Sequence, residues 1–214
     1  MRENEVIVPK IVFDVSWIYY RIWKNLYQGF SFGAQYPEYE EIAECGRKME
    51  EYWNQKKRGI LKEIAFITGL KWTREIIPCF VIGPYPGAFS HPLTISSDTY
   101  AISPKHFLGI LIHELIHNIF IDNVALSKDR RWVMAYLDEK YGEEASYDLK
   151  IHILVHAIHA HIHSRFIDKD LKTLFISRNP DYQKSWEIIQ EEGYENIIHD
   201  FADYVRELRQ RRCK

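Results

Sequence analysis

The eleven residues ILIHELIHNIF, positions 110 to 120, constrain this chain more than any other stretch. Two histidines and a glutamate interrupt a run that is otherwise almost wholly apolar. A helix that is apolar on every side belongs in a core. Three ionisable groups buried there are costly unless they pair or coordinate a metal. Ser103-Pro104 supplies the start signal, an N-cap followed by proline at the first helical position. The apolar part, Phe107 to Ile121, is too short for a bilayer and carries the three ionisable groups, so it reads as a buried core helix and not a membrane span.

Within the run, His113, Glu114 and His117 form an HExxH pattern. Positions i and i+4 share one helix face. Two imidazoles at that spacing can hold one Zn²⁺, and the intervening glutamate is placed to act as general base on water. Around the motif, Ile110, Leu111, Leu115, Ile116, Asn118 and Ile119 are all uncharged. On these residues the sequence resembles the zincin superfamily of metallopeptidases. The resemblance implies a zinc-dependent hydrolase acting on a peptide or protein substrate. It also implies a small sheet before the motif helix, with an edge strand lining the substrate cleft. The metzincin branch is excluded by its own pattern, because Phe120 and Asn123 stand where its glycine and third histidine belong.

A catalytic zinc takes three protein ligands and leaves one position for water. The stretch 148 to 166, DLKIHILVHAIHAHIHSRF, is the expected source of the third. On a helix, His152, His156, His159 and His163 make one stripe, and His161 points elsewhere. Ile151, Leu154, Val155 and Ile158 make the early part of the stripe apolar, so His152 and His156 are the candidates. His156 is slightly favoured for its deeper apolar setting. His159, His161 and His163 lie nearer Arg165, Asp168 and Lys169, where solvated roles are expected. The resemblance adds a competing ligand, because gluzincins carry ExxxD on the following helix and Glu144 to Asp148 has that spacing. Acids in a first helical turn also stabilise any helix dipole, which ranks Glu144 below the histidines. Asp148 lies one turn before His152 and is placed to hydrogen-bond its ring.

The remaining pattern predicts an α+β fold, mainly helical, with a small antiparallel sheet before the HExxH helix. Helices are expected over Phe13 to Gln28, Glu38 to Lys57, Ile60 to Thr68, Asp129 to Tyr141, Glu143 to about Ile167, and Asp181 to Arg212 with a break at Gly193. Strands are expected at Glu75 to Ile82 and His91 to Ser96. Pro78 assigns the first of these to a sheet edge or a bulge. The expected organisation is one zincin-like domain over 1–214, with a helical N-terminal region, 1–71, ahead of the sheet and metal-site helices of 72–214.

Composition bears on partners and setting. The formal net charge is -2, and Lys56-Lys57-Arg58 and Arg209 to Arg212 are short basic clusters at helix ends. No nucleic-acid partner is expected from that balance. The three cysteines, Cys45, Cys79 and Cys213, are far apart and form no CxxC pair, which favours a reduced, cytoplasmic setting. The N-terminal residues lack a signal-peptide pattern, and no membrane partner is expected. Oligomeric state is left open by the sequence. Two other classes compete with a peptidase. A di-iron bundle needs a second Glu-x-x-His copy, which the downstream helices do not supply. A zincin-like protein with a structural metal, acting as a non-catalytic binding module, would instead close the metal shell.

Overall fold

The computed structural model describes residues 7–29, 35–57, 59–85, 87–169, 171 and 179–212. Arg58 and Cys213, named above, lie outside the described residues. The chain is mainly helical with a small mixed sheet, and it forms two compact units. One takes Pro9–Arg58 and Arg74–Asn118. The other takes Gly59–Thr73 and Ile119–Lys214, with Met1–Val8.

The first unit holds the sheet. Strand β1 is Lys10–Asp14, β2 Ile76–Ile82, β3 Phe89–Ser90 and β4 Leu93–Ser96, in the order β1-β2-β4-β3. β1 and β4 both run parallel to β2, and only β3 pairs antiparallel, with β4. The expected antiparallel sheet is thus corrected to a mixed one. A parallel pair needs a long crossover, and the helices between β1 and β2 supply it. β1 also corrects the helix expected from Phe13. The segment KIVFD pairs with β2 from Lys10↔Ile76 to Asp14↔Phe80 and buries Ile11.

Pro78 lies in a central strand, yet its expected edge character survives locally. β4 pairs only with Phe80 to Ile82, so at Pro78 the strand has a neighbour on the β1 side alone. Helix α1 (Trp17–Gly29) and α2 (Tyr39–Lys56) pack on this sheet. Gly46 faces Val15 and Val81, where a Cβ would lie at an ordinary contact distance of 3.5 Å. At Gly83 the approach is closer still. Its N–H donates to Tyr36 Oη at 2.8 Å, and a Cβ would sit 2.5 Å from the Tyr36 ring.

The second unit is helical: α3 (Ile60–Thr68), α6 (Trp132–Tyr141), α7 (Tyr147–Phe166), α8 (Pro180–Glu192) and α9 (Tyr194–Arg212). Gly69, at φ 66°, ends α3 as a left-handed cap. α7 is its axis, packed by α3, α6, α8 and α9. From Lys150 to Ala160 every residue of α7 is buried. Its start is pinned twice. Ser146 Oγ accepts from Leu149 N at 3.0 Å and donates to Asp181 at 2.7 Å. The buried Lys150 ammonium pairs with Asp138 and donates to the carbonyls of Gly142 and Glu143 at 3.3 Å.

A short helix, α4 (Ser97–Ile102), precedes the motif helix α5 (Pro104–Asp122). Ser103 Oγ accepts from His106 N at 3.0 Å, the expected cap. The stretch Pro104–Leu126 is long and apolar enough to cross a membrane, but most of its apolar window, 61%, is buried in the protein, as a core helix requires.

Candidate metal centre

α5 supplies two of the ring nitrogens. His113 and His117 lie one turn apart, half-buried, with ring centroids 5.1 Å from each other. Glu114, on the same turn, is 9% exposed. Burial pushes its carboxyl up to about 7. Cys79 on β2 is fully buried and feels the Glu114 charge. Desolvation first, then that charge, drives its thiol well above the usual range.

The third nitrogen comes from His152 on α7. One ligand atom from each of His113, His117 and His152 can be chosen so that all three lie within 4.8 Å of one another. The donor set is three imidazoles, which suits Zn²⁺ and other borderline metals. Among the described residues, no fourth histidine, cysteine or carboxylate joins the group.

His152 is oriented by the main chain. Its Nδ1 lies 2.7 Å from the carbonyl oxygen of Asp148. A carbonyl only accepts, so Nδ1 carries the proton and Nε2 carries the lone pair. Burial lowers the pKa of the ring, opposed by that Asp148 hydrogen bond, and the neutral form is the one a metal binds. Asp148 therefore supports His152 through its backbone carbonyl, and its nearby charge also favours the protonated ring. The Tyr182 ring lies 4.1 Å from the His152 ring.

His156, the slightly favoured third ligand, stands outside the trio. Its Nδ1 is 2.7 Å from Ser185 Oγ, whose own hydroxyl donates to Tyr182 O at 2.8 Å. Its ring stacks on Trp186 at 4.4 Å and an interplanar angle of 4°. α8 thus holds His156, and it is His152 that clusters with the α5 pair. Glu144 is exposed in the turn before α7 begins and does not reach the group.

The far end of the stripe corrects a second expectation. His159 and His163 are buried, at 6% and 7% exposure, because α7 is enclosed along nearly its whole length. His161 does point elsewhere, to Glu63 at 2.9 Å, which Arg165 also contacts at 2.9 Å.

Asn118, the residue after the motif, was visible in the sequence only as uncharged. Its amide donates to Ser90 O on β3 at 2.7 Å and to Glu114 O at 2.9 Å, while its oxygen accepts from Arg74 at 2.7 Å. It fastens the edge strand to the motif helix. Tyr182, Ser185 and Trp186 were also missed. Their i, i+3, i+4 spacing on α8 is the signal that marks one face turned to a partner helix. Tyr141 donates to Glu192 at 3.3 Å, and Tyr85 and Tyr100 sit in aromatic clusters with Trp23 and Phe107. Compared with family models, curated proteins and solved structures, the chain matches none.

Proposed function

We propose that this chain is a zinc-dependent metallopeptidase with a zincin-like arrangement, hydrolysing peptide bonds in a peptide or protein substrate. His113, His117 and His152 hold the metal. The observation that carries the reading is their convergence within 4.8 Å beside the buried Glu114. Three protein ligands, and not four, are the number a catalytic zinc uses. When bound, Zn²⁺ supplies Lewis-acid polarisation of a carbonyl and a lowered pKa for water. Glu114 takes the proton of the attacking water on its carboxylate and delivers it to the departing amine. Asp148 O keeps His152 in the ligating tautomer, and Asn118 holds β3 alongside the helix that carries Glu114. Free Cys45 and Cys79 suit the reduced, cytoplasmic setting expected from the sequence.

Elemental analysis of tag-free protein tests the site. About one zinc per chain is expected, lost in His113→Ala and in His152→Ala. Cleavage of labelled casein and of a mixed peptide pool tests the chemistry. Glu114→Gln keeps its metal and loses hydrolysis, whereas His117→Ala loses both. A metal-loaded wild type without turnover on any peptide, destabilised by chelators, would instead identify a structural metal in a binding module. A fully active Glu114→Gln would sink the mechanism.

A further inference from the structure

Helix α1 raises a question that the metal site does not answer. Its inner residues Tyr19, Tyr20 and Trp23 pack on aromatic neighbours of the same unit. Its outer face is apolar too. Trp17, Ile18, Ile22 and Leu26 are 55%, 73%, 49% and 45% exposed. Ile18, Ile22 and Leu26 stand at i, i+4 and i+8, a continuous stripe along the helix. A surface helix ordinarily turns a polar face to water.

Two observations choose the occupant. The four side chains together expose on the order of 400 Å², about half the 800 Å² per partner of a standard protein interface. Charge points the same way. α1 contains Arg21 and Lys24 and no acidic residue. Arg21 lies over the exposed Trp17 ring at 5.9 Å, and Lys24 is bound to Glu38. α1 itself offers no acidic partner to the Arg21 of a second copy. A phosphate-bearing surface supplies those anions. A tryptophan and arginine side by side, with a stripe of isoleucine and leucine, fit the headgroup and acyl boundary of a bilayer.

We infer that α1 is a peripheral docking face for anionic phospholipid membranes, with Ile18, Ile22 and Leu26 entering the acyl boundary and Arg21 on a headgroup phosphate. This revises the expectation of no membrane partner. That expectation rested on missing signal and spanning segments, which peripheral binding does not need. The cytoplasmic leaflet carries the required negative surface.

Flotation of the full chain with phosphatidylcholine vesicles, with and without phosphatidylglycerol, tests the inference. Binding is expected to the phosphatidylglycerol vesicles, falling by about tenfold or more in Ile18→Glu/Ile22→Glu. Arg21→Ala weakens it on the anionic vesicles. Phe66→Glu, at an 81% exposed apolar residue of α3 in the other unit, leaves it unchanged. Circular dichroism checks that each variant is folded. A wild type that stays unbound, a double variant that floats like wild type, or equal binding to both vesicle types would overturn the inference. So would a wild-type dimer by light scattering that the double variant converts to monomer, since a second copy would then own the face.

Discussion

At the scale of the residue, the decisive contrast is between two histidines one turn apart on α7. His152 and His156 both carry their Nδ1 proton into a hydrogen bond, the first to a main-chain carbonyl and the second to Ser185. Only His152 joins the α5 pair. His152→Ala is expected to lower zinc affinity by roughly 100-fold or more, while His156→Ala keeps the metal and loses stability. Competition with a fluorescent chelator separates the two. His159 offers a pH test. Burial first, and the His163 charge next, lower its pKa to about 3. The unfolded value is near 6.5. The unfolded chain therefore binds a proton that the native chain refuses between those values. The stabilisation is complete above about 6.5 and is lost as pH falls toward 3, at up to about 1.4 kcal/mol per pH unit. His159→Gln should flatten that slope in urea unfolding at stepped pH with chelator present.

At the scale of the element, two anchors can be tested. Lys150 is 4% exposed and satisfied by Asp138 and two carbonyls that close α6. Lys150→Ala leaves the Asp138 carboxylate, 38% exposed, to water but removes the donor from two carbonyls, and is expected to cost about 1–2 kcal/mol in denaturant unfolding. Gly83→Ala forces a methyl into the Tyr36 ring, and about 1–3 kcal/mol is expected there by the same measurement. Most helices were legible in the sequence because caps and glycines mark them. Ser103-Pro104 and Gly193 each sit at the boundary they announced, and Gly69 closes α3. β1 was not legible. KIVFD is too short to show a period that separates strand from helix, and its partner, β2, lies more than sixty residues away in sequence. The sheet's direction was hidden for the same reason, since strand pairing is set by packing over long separations. At the metal centre, the motif pair was legible from spacing alone. The third member of the cluster was not, because α8 holds His156 aside and no local pattern around His156 tells of Trp186.

At the scale of the whole molecule, a metal held by residues 113, 117 and 152 closes a loop of the chain. Binding that the unfolded chain cannot match stabilises the native state by mass action. Zinc at a hundred times its dissociation constant should add about 2.7 kcal/mol. For a chain of this size that raises Tm by roughly 5–10 °C. Thermal scans with zinc and with chelator check this, and His152→Ala should show no shift. The hydrogen bond that orients His152 adds a consequence for mutation. It comes from the Asp148 carbonyl, which every residue but none in particular provides. A change of side chain at 148 leaves that carbonyl in place, so the orientation of His152 is expected to pass to a descendant that has lost the acid.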